Sequence, residues 1–280
     1  MRTLYLYILT ISCFILFCNK NSAIEQSKYN PKVLISTGDK LQGHKKNSIK
    51  QLIKYQPGVI ISFDDAYLDE WTKVDEILQI YNWKATFFIC KFNQLSLDKI
   101  NKVKRLKNLG HEIGGHGYNH LNAKIFTSTY GINNYMLQEI FPMFKAMNSE
   151  EITPTSFAYP YGASNSELDN EMLKQFQIIR GITYGDSFKD NKTCFFNNNR
   201  LVFGLGLDKN YPHFNNSFFI SLLKYAKENN KIVIFFAHKP VLRYMNNYET
   251  EYETLIEICK YVSTNKMKFY KMSELANFID

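Results

Sequence analysis

Gly58-Val59-Ile60-Ile61-Ser62-Phe63-Asp64-Asp65 is the stretch on which the fold turns. Its apolar run lacks polar alternation, so it reads as a fully buried strand, and it delivers two adjacent carboxylates at its C-terminal end. Active sites of barrels built from parallel strands lie at that end. Outward from this segment, further strands are expected at about 85–90, 111–115, 155–159, 179–184, 200–204 and 231–237. Amphipathic segments near 68–81, 97–109, 131–148, 164–177, 216–229 and 249–264 read as helices between them. Leu168, Met172 and Phe176, for example, recur at helical spacing and are core. The alternation predicts parallel strands ringed by helices, with residues 273–278 as a short terminal capping helix.

Three more fragments carry chemistry: His116-Gly117-Tyr118-Asn119-His120, Phe157-Ala158-Tyr159-Pro160-Tyr161-Gly162 and Phe236-Ala237-His238. Singly they are weak, since an Asp-Asp pair is usually a strand end entering a solvated loop and short histidine spacings arise by chance. Together they supply two neutral imidazoles and a carboxylate, a set that leaves a divalent zinc an open position, as catalytic rather than structural sites do. Such a metal lowers the pKa of its bound water towards about 7. Asp64 beside it can accept the water's proton, provided a cation keeps it ionised. The backbone N–H of Tyr161, in a turn stiffened by Pro160 and Gly162, is a candidate donor to an oxyanion. His238 suits protonation of a departing amine.

In combination and order the four fragments resemble the polysaccharide deacetylase family, the carbohydrate esterases that share a homology domain with the nodulation deacetylases. The resemblance runs from about Pro57 to about Asp280. It implies an irregular (β/α) barrel of about seven parallel strands over residues 57–280, with Asp64 as catalytic base and Asp65, His116 and His120 as metal ligands. Phe157 through Gly162 is similar to one form of the family's third motif, and Phe236-Ala237-His238 to its last. Zinc is the implied metal, with cobalt, nickel or manganese as alternatives. Ala66 stands where the family usually has Gly, and Ala158 where many members carry Arg. The family's Asp-x-x-Asp-Trp fourth motif is missing from the stretch that follows. Arg180, placed like a strand-end residue, resembles the arginine of relatives with the Tyr-Pro-Tyr-Gly version and is the candidate partner of Asp64; the alternative is a surface arginine. Asp186 is a weak candidate to tune His238.

The other histidines and cysteines have plainer readings. His111 fits a hydrogen-bonded structural role at a strand start, and His44 and His213 lie in polar loops as solvated side chains. Cys90, Cys194 and Cys259 have no Cys-x-x-Cys spacing, which disfavours a zinc–thiolate site and allows one disulfide at most. Cys90 ends an apolar run as a small hydrophobe.

Met1-Arg2 followed by the apolar stretch Leu4–Phe17 has signal-peptide length and is short for a membrane span. Residues 1–18 are therefore expected to be an export signal of lipoprotein type, with Cys18 as the lipidated residue, Cys13 as a second candidate, and free secretion or an uncleaved anchor as alternatives. Residues 19–56 then form a linker or an N-terminal cap. The expected location is the cell envelope, lipid-anchored on the outer face or in the periplasm.

The chain can hold one large domain, and its 45% hydrophobic and 15% aromatic content is ample for a core. The formal net charge of +8 is spread over scattered lysines, which argues against a nucleic-acid partner. The reading that unites these features is an exported deacetylase acting on N-acetylated sugars of an envelope glycan, with Tyr159, Pro160, Tyr161, Tyr184 and Phe236 as candidates to line an aromatic groove. The rivals are an O-deacetylase, a hydrolase of a non-carbohydrate amide, and a catalytically silent surface lipoprotein. The sequence names neither the glycan nor the oligomeric state.

Overall fold

The computed structural model of the protein describes residues 55–184 and 193–279. The expected leader 1–18 with Cys13 and Cys18, nearly all of segment 19–56, His44 and Asp186 lie outside these residues. Among the described residues no helix is long and apolar enough to cross a membrane.

Seven parallel strands close into a barrel: β1 (Gly58–Asp65), β2 (Thr86–Ile89), β3 (Glu112–Gly115), β4 (Ser156–Ala158), β5 (Ile178–Thr183), β6 (Leu201–Gly206) and β7 (Ile232–Ala237). Each pairs with the next, and closure comes from β1 against β7, in register from Gly58↔Ile232 to Phe63↔Ala237. All seven expected strands are present. The apolar run of β1 has no alternation because it faces two cores. Val59, Ile61 and Phe63 pack outward with Trp71, Val74 and Leu78 of α1 (Leu68–Leu78), whereas Ile60 packs inward with Phe88, Ala158, Ile178, Val202, Ile232 and Ile234.

The barrel is irregular along β1. Its first residues, Gly58–Ile60, pair with a further strand, β10 (Lys268–Tyr270), and only Ser62–Asp65 pair with β2. The chain then runs into a 3₁₀ helix (Met272–Phe278), whose Met272 and Leu275 plug the interior with Tyr270. Buried Glu112 at the start of β3 ties the plug down. Its carboxylate accepts hydrogen bonds from Thr86 Oγ1 (3.0 Å), Ser156 Oγ (2.6 Å) and the Ser273 backbone N–H (2.9 Å).

The outer layer holds α1, α2 (Leu97–Asn108), α3 (Ala123–Tyr130), α4 (Ile132–Tyr135), α5 (Phe141–Asn148), α6 (Ser166–Met172), α7 (Asn216–Glu228) and α8 (Tyr252–Thr264). Asparagine supplies several of the caps: Asn122, Asn165 and Asn215 accept from backbone N–H groups in the first turns of α3, α6 and α7. The structure corrects the expected helix 131–148, which is α4 and α5 joined by a π turn, Met136–Ile140. The expected helix 164–177 ends at Met172, after which single turns bring Phe176 into the core. Helix α3 and the short parallel pair β8 (Lys239–Val241) and β9 (Glu249–Glu251) were not expected.

Removal of the floor carboxylate tests this account. Glu112→Ala leaves two buried hydroxyls and one part-buried N–H short of an acceptor, so urea unfolding should show a loss of at least about 2 kcal/mol. An unchanged midpoint and slope would mean that the plug is not held by Glu112.

Candidate active site

Strand ends bring the polar residues together. Asp64 and Asp65 end β1, Cys90 follows β2, His116 follows β3, Asp208 follows β6 and His238 follows β7, all at the C-terminal mouth of the barrel. Arg180 lies within β5, in register with Ala158 of β4, and points inward like Ile178 two residues before it.

Asp64 and Arg180 form a buried ion pair, 3% and 0% exposed. Nη2 of Arg180 donates to both carboxylate oxygens, at 2.5 Å to Oδ1. The guanidinium carbon sits 4.8 Å from the ring centre of Phe236 and 5.5 Å from that of Phe88. Those aromatic faces are its main surroundings on the sides away from Asp64, since Nε and Nη1 have no acceptor among the described residues.

Asp65 adopts a left-handed backbone (φ 82°) that turns its carboxylate toward the histidines. Its Oδ1 lies 3.2 Å from His120 Nε2 and 3.7 Å from His116 Nε2. His116 Nδ1 donates to the Ala158 carbonyl at 2.8 Å, which fixes the tautomer and leaves Nε2 as a lone pair facing Asp65. Burial pulls the His116 pKa down to about 4. Burial pushes the Asp65 carboxyl up, but the hydrogen bond from His120 and the neighbouring imidazoles bring it down to about 2. The two separations from Asp65 Oδ1 are close to the edge of a tetrahedron with metal–ligand bonds of about 2.0–2.2 Å, and Asp65 is held ionised, so Asp65, His116 and His120 are the candidate ligands of a divalent metal. Cys90 is also close, its Sγ 3.9 Å from Asp65 Oδ1. Asp65, Cys90 and His120 hold donor atoms within 4.8 Å of one another and line a cleft of about 450 Å³ with Tyr67, Lys91 and Leu95. Burial and the charge of Asp65 push the Cys90 thiol up to about 12, which makes it a poor donor beside the imidazoles.

The loop carrying the histidines is held from beneath by Glu139, which lies in the π turn and is fully buried. Its carboxylate accepts from the N–H groups of Asn119 and Leu121, both at 2.8 Å, and its carbonyl from that of Tyr118. Gly117 (φ 89°) is required in this loop, because a Cβ there would lie 2.4 Å from Glu139 Oε1.

His238 is fixed by a residue that sequence reading missed. Its Nδ1–H donates to Asp208 Oδ2 at 2.6 Å, and its backbone N–H to Oδ1 at 3.1 Å. Thr250 Oγ1 donates to the same carboxylate, and Trp71 Nε1 to the His238 carbonyl. Burial pulls the His238 pKa down, but Asp208 outweighs it, with help from Asp64 and Asp65, and the imidazole stays above its ordinary value. Asp208-Lys209-Asn210-Tyr211 keeps one aspartate of an Asp-x-x-Asp-Trp pattern, too little for recognition; its place just past a strand end was the available signal.

Of the expected groove residues, Tyr161 is exposed, with φ 60° and its ring centre 4.8 Å from that of His120, and Tyr184 is half-exposed. Three others do not line a groove. Tyr159 points outward from the barrel into the helix layer, fully buried against Phe157. Pro160 is buried, and Phe236 lies inside the barrel under His238 and against Arg180. His111 is structural: Nδ1 accepts from the Ala85 N–H and Nε2 donates to Asp75. His213 is not simply solvated, since Nε2 donates to the Gly206 carbonyl and its ring stacks on Tyr211. Cys90, Cys194 and Cys259 are buried free thiols.

Residues 54–178 match the family model described as polysaccharide deacetylase. The match to the polysaccharide deacetylase model covers a little under half of the chain. A curated peptidoglycan-N-acetylglucosamine deacetylase from Bacillus cereus is 36% identical over 126 residues, which are 43% of this chain and 42% of that protein. The chain therefore spans less than half the length of this relative. Among solved structures, a Streptococcus mutans CE4 esterase shares the fold at TM-score 0.53 and 14% identity, covering 79% of this chain and 88% of that one. A peptidoglycan N-acetylglucosamine deacetylase structure gives TM-score 0.51 and 19% identity over 79% and 89%. Asp64, Asp65, His116, His120 and Tyr161 fall within the matched stretch, while Arg180, Asp208 and His238 lie beyond it and join the site by geometry alone.

The Asp208–His238 pair can be tested without turnover. Asp208→Asn removes the charge that offsets burial, so the His238 imidazole should titrate by NMR below its ordinary value of about 6.5, having titrated above it in the wild type. An unchanged titration would dissociate Asp208 from His238.

Proposed function

We propose that this chain is a metal-dependent hydrolase that removes N-acetyl groups from amino sugars of a cell-envelope or surface polysaccharide. The observation that carries the reading is that Asp65, His116 and His120 share one barrel mouth with two further pairs, Asp64–Arg180 and Asp208–His238. One is set to take a proton and the other to give one, which is what hydrolysis of an unactivated amide requires. The curated relative's name, peptidoglycan-N-acetylglucosamine deacetylase, supports the choice of acyl group and sugar.

Zinc, or cobalt, nickel or manganese in its place, would be held by Asp65, His116 and His120 and would supply positive charge for an acyl oxyanion and a water of lowered pKa. Asp64, held through both carboxylate oxygens by Nη2 of Arg180, is the group that accepts a proton from the attacking water. As the water oxygen bonds to the acetyl carbon, the carbonyl becomes an oxyanion, toward which the Tyr161 backbone N–H is the candidate donor. His238, held protonated by Asp208, gives its proton to the nitrogen as the C–N bond breaks, and the products are acetate and a free amine. Export, with a lipid anchor at Cys18, is part of the same proposal and rests on the N-terminal sequence.

Metal-reconstituted protein should release acetate from at least one of peptidoglycan, poly-N-acetylglucosamine or a surface polysaccharide, and hold about one equivalent of metal. His120→Ala should lose both metal and activity while staying folded. No acetate from any polymer, or full metal content in both His116→Ala and His120→Ala, would overturn the reading.

His238→Asn separates amide from ester chemistry. An unprotonated amine leaves far less readily than an activated phenoxide, so N-deacetylation should fall by about 10² to 10⁴ while an activated acetate ester suffers much less. Equal losses on both, with metal retained, would contradict the role of proton donor.

A further inference from the structure

The reaction uses Asp64, Asp65, His116, His120 and His238, yet a second strained tyrosine stands at the same mouth, in the loop between β8 and β9. Tyr248 has φ 60°, is 49% exposed, and places its ring centre 5.0 Å from that of His238 at an interplanar angle of 61°. A bulky side chain in the left-handed region is a conformational outlier that persists only where its surroundings impose it. Here they do. The Tyr248 N–H donates to Asn210 Oδ1 at 2.7 Å, and its carbonyl accepts from the Lys239 N–H at 3.1 Å. On either side, Glu249 accepts from the N–H groups of Met245 and Asn246, and Glu251 accepts from that of Tyr244. Lys209 clamps Glu251 in an ion pair at 2.5 Å. These hydrogen bonds hold the backbone of a short loop in place, and the ring that it presents remains half in solvent.

We propose that Tyr248 forms a subsite for the pyranose ring that carries the leaving amine. The inference rests on the proposed function and deepens it. A proton donor must come within about 2.6–3.2 Å of the nitrogen it protonates. The sugar bearing that nitrogen therefore lies against His238, and a ring centred 5.0 Å from the imidazole is in reach of it. The electron-rich face of an aromatic ring attracts the partly positive C–H bonds on the apolar face of a pyranose. Tyr161 stands in the same relation to His120, with φ 60° and 64% exposure, on the ligand side of the centre. Leu242 and Met245, 83% and 80% exposed, continue an apolar rim along the loop that carries Tyr248. The ligand class is a chain of N-acetylated sugars rather than a free monosaccharide or a non-carbohydrate amide.

The test compares wild type, Tyr248→Ala, Tyr248→Phe and Tyr248→Gly on an N-acetylglucosamine tetrasaccharide and on para-nitrophenyl acetate, with tetrasaccharide binding measured separately in the His238→Asn background. Tyr248→Ala should raise KM and the dissociation constant for the tetrasaccharide about tenfold, with a smaller change in kcat and a smaller loss on the ester. Tyr248→Phe should restore KM. Tyr248→Gly should show the same KM defect with a melting temperature at or above that of wild type, because glycine relieves the strain. Wild-type binding that depends on Tyr248 without acetate release would sink the deacetylase reading and leave the subsite standing. Acetate release with KM unmoved by Tyr248→Ala, or equal losses on ester and tetrasaccharide, would overturn the subsite alone. Neither binding nor turnover by wild type would overturn both.

Discussion

The pairing of Asp64 with Arg180 is the constraint around which the upper half of the barrel is built. An ion pair removed from water is stable only if it stays paired and if its remaining surfaces are covered. Arg180 meets the first condition through Nη2 and the second through Phe236 and Phe88, over whose faces the guanidinium lies. Gly204 leaves room for this arrangement, since a Cβ there would lie 3.2 Å from Phe236 and 3.3 Å from Arg180. The interior thus changes character along its axis: a dry plug of Tyr270, Met272 and Leu275 at the strand N-termini, a charged pair shielded by aromatics above it, and the histidines at the mouth.

The same logic of carboxylates aimed at basic groups recurs around the mouth. Asp208 has no exposure, and its oxygens are taken by the His238 ring, the His238 N–H and Thr250. It therefore joins β6, β7 and β9, so the proton state of His238 and the position of the flap that follows it are set by one side chain. Trp71 of α1 anchors the His238 carbonyl from the outer layer. Helix packing outside the barrel is by this route continuous with the orientation of an imidazole inside it.

The barrel strands were legible because each is an apolar run flanked by polar segments, and the runs were long enough to outweigh local ambiguity. Helix α3 was not, because Ala123-Lys124-Ile125-Phe126-Thr127-Ser128-Thr129-Tyr130 is rich in β-branched and aromatic residues with low helix propensity, and an Asn122 cap with buried Ala123 and Thr127 is what holds it. Tyr159 was misplaced for want of a register argument: Ser156 and Ala158 face the interior, so Phe157 and Tyr159 must face the helices. Period two likewise puts Phe236 on the inner face below His238 instead of beside a ligand. Asp208 and Tyr248 needed the fold itself, since each lies in a loop without local pattern and acquires meaning only from the histidine it touches.

Glu139 shows how a loop with little regular structure can still hold an imidazole in place. The segment from His116 to His120 includes two left-handed residues, Gly117 and His120, so on its own it would sample many conformations. The N–H groups of Asn119, within it, and Leu121, just after it, converge on one carboxylate that has no solvent to compete for them. Burial pushes the Glu139 carboxyl up, while these N–H donors favour its ionised form. The π turn accounts for how the helix delivers it. One extra residue in the turn shifts the helical register, so that Tyr135 and Met136 keep their places in the core while Glu139 turns toward the loop. A regular α-helix through the same stretch would change which residue faces the histidine loop, and the irregularity that sequence periodicity could not foresee is therefore part of what shapes the candidate metal site.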